Sequence, residues 1–93
     1  MATFFMFGNY TPEAIKNISI KRTEQAIDTI KQLGGDVKGM YSLLGEYDLL
    51  FCVDLPDVEA ATKASISLAK LTSISFHTCP AVKVEVFDHL ATR

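Results

Sequence analysis

Two stretches of this chain are apolar at consecutive positions, where a half-solvated strand would alternate apolar with polar. They are Phe4-Phe5-Met6-Phe7 near the start and Leu49-Leu50-Phe51-Cys52-Val53 in the middle. Both are short, rich in aromatic or branched side chains and bordered by turn residues, which reads as strand. Successive side chains of a strand point to opposite faces. Phe5 and Phe7 therefore take one face while Phe4 and Met6 take the other. Leu49, Phe51 and Val53 are likewise opposed to Leu50 and Cys52. A sheet built from these strands is apolar on both faces, and the fold has to cover both.

The remaining elements follow from local signals. Thr11-Pro12-Glu13 is a helix start, with a capping hydroxyl, proline at the first helical position and an early acid. Asn17 and Ser19, with the β-branched Ile18 and Ile20, predict a break, so a short helix precedes a longer one from about Ser19. Ala26, Ile27, Ile30 and Leu33 give the longer helix its apolar stripe, and Gly34-Gly35 closes it. Residues 36 to 44 read as a second strand, Gly45-Glu46 as a turn, and Tyr47 to Asp54 as a third strand antiparallel to it. Leu55-Pro56-Asp57 opens another helix, with Asp54 or Asp57 at its start and Val58, Ala61, Ser65 and Leu68 on one face. Ser73 to His77 read as a fourth strand. Beyond Cys79-Pro80, Val82, Val84 and Val86 alternate with Lys83 and Glu85 and predict a terminal strand. The order β-α-β-β-α-β is the ferredoxin-like split βαβ motif. The chain is expected to be one α+β domain over 1–93, with an extra C-terminal strand.

Helices on one side leave the other side of the sheet bare. Four strands of about five residues cover roughly 300 Å² in plan at ~4.8 Å and ~3.4 Å spacings. Leaving that surface wet forfeits on the order of 8 kcal/mol at ~25 cal/mol per Å², comparable with the whole stability of a small domain. A chain of 93 residues is also short enough that its stability alone is marginal. A second copy packed sheet on sheet, giving a two-fold homo-oligomer with a barrel-like interior, is the expected solution. The terminal strand would be an arm for a neighbour's sheet edge.

Composition removes several function classes. The net charge is −2, and Lys21-Arg22 is the one adjacent basic pair, so no nucleic acid is expected as a partner. No stretch approaches the ~20 apolar residues of a membrane span, and the start lacks a basic leader, so the expectation is a cytoplasmic chain with no membrane partner. Cys52 and Cys79 lack zinc or redox spacing and are expected as free thiols, Cys52 in the core. His77 and His89, twelve residues apart, do not make a metal site. Gly8, Gly34 and Gly35 form no phosphate loop. No metal and no cofactor are implied.

The most specific pattern is Gly45-Glu46-Tyr47-Asp48 at the hairpin, followed by strand and Pro56-Asp57. With Tyr10-Thr11-Pro12-Glu13, Lys16, Arg22 and Gly34-Gly35, it resembles the GYD domain family over roughly residues 3 to 78. The resemblance implies a ferredoxin-like, dimeric α/β-barrel fold and leaves the activity open. The same hairpin pattern is similar to the ligand-binding domain of the Lrp/AsnC regulators, which implies amino-acid binding between subunits. This chain differs in its long helical region from Thr11 to Leu33 and carries no helix-turn-helix, so no DNA-binding role follows.

Six residues are candidates for a site. Asp48 beside the hairpin is either a general base or ligand contact, or a turn-capping acid. Tyr47 offers a hydroxyl on an apolar body, and Tyr10 is a further rim group. Lys16 and Arg22 lie across the helix break, where they would converge on a small anionic or amphipathic ligand. His77 is the acid/base if there is catalysis, and otherwise a structural strand histidine. The first expectation is an oligomeric small-molecule-binding or sensing protein, with Tyr10, Lys16, Arg22, Tyr47 and Asp48 as ligand contacts. The alternatives are a cofactor-independent enzyme of isomerase or monooxygenase type, using Asp48 or His77, and a structural assembly subunit with no site.

Overall fold

A computed structural model of the chain describes residues 1–92. Eight elements follow one another: β1 (Ala2–Asn9), α1 (Pro12–Lys16), α2 (Ile20–Gln32), β2 (Asp36–Ser42), β3 (Leu49–Leu55), α3 (Val58–Thr72), β4 (Ser75–Ala81) and α4 (Val84–Ala91). The sheet order is β2-β3-β1-β4, with every neighbouring pair antiparallel. This is the ferredoxin-like arrangement that the sequence predicts.

Local chemistry explains where the helices begin and end. The Thr11 hydroxyl accepts from the Ala14 amide at 3.1 Å and donates to the Ser73 carbonyl at 2.8 Å, tying the start of α1 to the end of α3. Ser19 accepts from the Arg22 amide at 3.0 Å and starts α2, so the chain breaks where its β-branched residues predict. The close of α2 is a Schellman motif: Gly35 N–H donates to Ile30 and Gly34 N–H to Lys31, each at 3.0 Å, with Gly34 at φ +83°. Asp57, rather than Asp54, caps α3 by accepting from the Ala60 amide.

One face of the sheet is sealed by α2 and α3. Phe4 and Met6 of β1 and Leu49, Phe51, Val53 and Leu55 of β3 are buried there against Ala26, Ile30, Ala61, Ala64 and Leu68. On α3 the buried stripe is Ala61, Ala64, Leu68 and Thr72. Val58, expected inside, is 66% exposed, because it lies off this stripe, on the side of the helix that carries Thr62, Ser65 and Ile66. The opposite face carries Phe5, Phe7, Leu50 and Cys52, all half-buried and covered by no helix. Cys52 thus belongs to this second face rather than to the core.

The C-terminal segment departs from expectation. Instead of a strand over Val82 to Val86, residues Val84–Ala91 form α4. Period-two alternation fits five residues and then fails, because Asp88 falls on the apolar phase and Phe87 on the polar one. Helical spacing places Val84, Phe87 and Ala91 together and fits the whole segment. No residue of α4 is buried. The fourth strand also runs further than expected, through Cys79-Pro80, which an edge strand tolerates.

Candidate functional site

The six candidate residues fall on both sides of the sheet. Tyr10 and Arg22 line a cleft of about 190 Å³ between the first turns of α2 and the sheet. Its wall is Met40, Leu49, Phe51 and Ile74, and Thr23, Tyr41 and Ser42 add hydroxyls. Arg22 lies in the first turn of α2, and its Nη1 donates to the Ala14 carbonyl at 2.7 Å. That bond uses one of five guanidinium N–H donors and fixes the fork at the α1–α2 junction.

Asp48 acts on this cleft through the backbone. Its Oδ2 accepts from the Tyr10 amide at 2.8 Å, its own N–H donates to the Gly8 carbonyl at 2.9 Å, and its carbonyl accepts from the Leu43 amide at 2.8 Å. The acid holds the exit of β1 against the entry of β3 and thereby sets the position of Tyr10. Lys16 is exposed on α1 and is not among the residues lining the cleft.

Tyr47 and His77 belong to the opposite face. The Tyr47 ring lies 4.8 Å from Phe7 and 5.5 Å from His77, and Phe5 meets Phe7 edge-on at 6.4 Å. Phe7 and His77 are direct cross-strand partners, so the four rings form a continuous aromatic strip on the open face. Sequence reasoning missed the polar group at the other end of that face. There the Thr3 hydroxyl donates to Asp54 at 2.9 Å, and Lys38 bridges Asp36 at 3.1 Å and Asp54 at 3.8 Å. The hydrogen bond and charge of Asp36, with the charge of Asp54, raise the Lys38 ammonium above the usual lysine value. The direct pairing of Asp36 with Asp54 across β2 and β3 explains why a cation is held there. Among the described residues, no group of three or more His, Cys, Asp or Glu is assembled to hold a metal ion. No helix among them is long and apolar enough to cross a membrane.

The GYD domain profile matches residues 4–91, nearly the whole of the chain. The chain belongs to the GYD domain family. Among solved structures, this GYD domain is similar in fold to the leucine response regulatory protein of Mycobacterium tuberculosis, with a TM-score of 0.59 at 11% identity. The alignment covers 88% of this chain and 51% of the regulator, so the GYD domain spans about half the regulator's length. A comparison with curated proteins finds no match. Within the matched region the Gly45-to-Asp48 hairpin has Gly45 at φ +118° and Asp48 as the clamp on Tyr10.

Proposed function

We propose that this GYD domain binds a small amphipathic acid in the cleft between α2 and the sheet, and does so as a homo-oligomer. The observation that carries the reading is the fixed Arg22 guanidinium in a cleft that pairs an apolar wall with several hydroxyls. A carboxylate meets the planar fork of an arginine better than it meets any other side chain. The apolar part of the ligand would lie on Met40, Leu49, Phe51 and Ile74. An engineered apolar cavity of ~150 Å³ takes up benzene, so a space of about 190 Å³ suits a ligand of comparable bulk. The fold similarity to a regulator named for its response to leucine makes leucine a reasonable first probe.

Oligomerisation is proposed from the second face. Phe5, Phe7, Leu50 and the Tyr47 ring form an apolar surface that no helix among the described residues covers. A second copy stacked on it would remove that surface from water. The enzyme alternative has less to rest on, because the Asp48 carboxylate is already engaged with the Tyr10 amide.

Titration calorimetry with L-leucine and isovalerate tests the ligand reading. Saturable heat is expected with at least one of them. Arg22→Lys is expected to weaken it about tenfold, and Arg22→Gln to abolish it, consistent with ~1.4 kcal/mol per decade. Equal binding by wild type and Arg22→Gln would overturn the assignment, as would no heat from either probe at millimolar concentration.

A further inference from the structure

The two features left unexplained by the ligand cleft and the open sheet face are complementary to each other. The first is α4. Val84, Val86, Phe87, Leu90 and Ala91 occupy one arc of this helix, with Glu85, Asp88 and His89 on the remainder. Every large apolar residue on that arc is exposed: Val84 68%, Val86 46%, Phe87 61% and Leu90 64%. An amphipathic helix of eight residues has no reason to persist in water without a surface to bury against. The radius of gyration is 14.0 Å, against about 12 Å for a compact chain of this length. The longest extent is 50 Å, which marks a projecting segment.

The second feature is a groove of about 250 Å³ between α3 and the edge strand β4. Its floor and walls are Phe4, Val58, Ala61, Ile66 and Pro80, with the paired Ser65 and Thr78 hydroxyls 2.6 Å apart at the centre. Val58 and Ile66 are 66% and 53% exposed, large values for apolar side chains on a packed helix. Lys63, Ile66 and Lys70 follow at i, i+3 and i+7, so two lysines border the apolar stripe along its outer side, with Glu59 a turn before Lys63. Glu85 and Asp88 border the apolar arc of α4 in the same way. Apolar surface thus faces apolar surface, and an acidic margin meets one with two lysines and one glutamate, net positive.

The geometry points to α4 of one chain docking in the α3–β4 groove of a second copy of this chain, with the exchange made in both directions. Two-fold reciprocity doubles the contact, which a helix of about 12 Å needs if it is to approach the ~1,200 Å² of a specific interface. Helix-in-groove docking uses anchors at this spacing, here Val84, Phe87 and Leu90. The inference is independent of the ligand cleft and of the face-to-face dimer, because neither uses α3's outer side or α4.

A mixed cross-linking experiment tests it. In a Cys52→Ser, Cys79→Ser background, one chain carries Leu90→Cys and a differently tagged chain carries Ile66→Cys. The two are mixed in equal amounts in a glutathione redox buffer. A covalent dimer of the two tagged chains is expected. Glu85→Lys with Asp88→Lys should lower its yield at least fivefold, and Lys63→Glu with Lys70→Glu should restore it. Absence of the mixed dimer overturns the proposal. So does a double Leu90→Cys, Ile66→Cys chain that cross-links only within itself, since the helix would then occupy its own groove. Because the readout is a covalent bond at the groove, Phe7→Glu, which addresses the sheet face, should leave the yield within twofold.

Discussion

Asp48 makes three contacts to backbone, two with the end of β1, distant in the chain, and one across its own hairpin. Its carboxylate holds Tyr10, its amide holds Gly8, and its carbonyl holds Leu43. Loss of the charged acceptor leaves the Tyr10 amide without its protein partner, which costs about 1.5–3 kcal/mol for a bond of this type. Asp48→Ala is therefore expected to lower unfolding stability by about that amount in urea, and Asp48→Asn, which keeps an acceptor, by about half. If Asp48→Ala unfolds at the wild-type midpoint, the clamp has no energetic weight. Lys38 gives a prediction that depends on pH. Its ammonium gains stability from Asp36 and Asp54, and its folded pKa is raised above 10.5. The stabilisation is therefore complete below the ordinary lysine value and is lost as pH rises through the higher folded one. The stability gap between wild type and Lys38→Met should be flat from pH 6 to 9 and shrink above about pH 10.5. A gap that instead opened with rising pH would contradict the assignment.

At the scale of elements, the junction of α2 with the sheet is the tightest fit. A Cβ on Gly35 would lie 2.5 Å from the Asp54 carbonyl oxygen and 2.6 Å from Leu55 Cδ2. The carbonyl belongs to the sheet and cannot turn aside, so Gly35→Ala is expected to cost about 1–3 kcal/mol by overpacking. Thermal unfolding monitored by circular dichroism measures it, and an unchanged midpoint would mean that the helix can ride away from β3. The sequence was most informative where a signal is local. Thr11-Pro12, the Ser19 break and Gly34-Gly35 each act within one helical turn, and all three were legible. The two-faced sheet was legible too, since alternation in β1 and β3 needs no knowledge of partners. Two things were not. Five residues of alternating valines fit a strand and a helix equally well, and only Phe87 and Asp88 decide between them. On α3, hydropathy favoured Val58, whereas the buried stripe runs through Ala61, Ala64 and Leu68.

For the whole molecule, the candidate site shows the same limit. Tyr10 and Arg22 are candidates from the sequence, grouped there with Lys16, Tyr47 and Asp48, but Met40, Tyr41, Ser42 and Ile74 reach the cleft only through tertiary packing. The division of Tyr47 and His77 from Tyr10 and Arg22 follows from register, which fixes the face of every strand residue at once. The aromatic strip yields the prediction for assembly. Phe7→Glu places a charge at its centre, beside Tyr47, and is expected to remove the face-to-face contact and so lower the assembly mass seen by light scattering at micromolar concentration. Wild-type protein running as a single chain would remove the basis of the face-to-face proposal.

Pro80 has a consequence for how copies of this domain can join. It stands opposite Phe4 in β4, an outer strand, where a proline presents no amide hydrogen to an incoming backbone. At the other outer strand, β2, the register slips between Val37 and Gly39, and Lys38 is charged. Both margins are thereby poor templates for a further strand. Lengthening of the sheet into a ribbon or fibril is therefore disfavoured at either side, and a contact between copies that needs no strand pairing has the advantage.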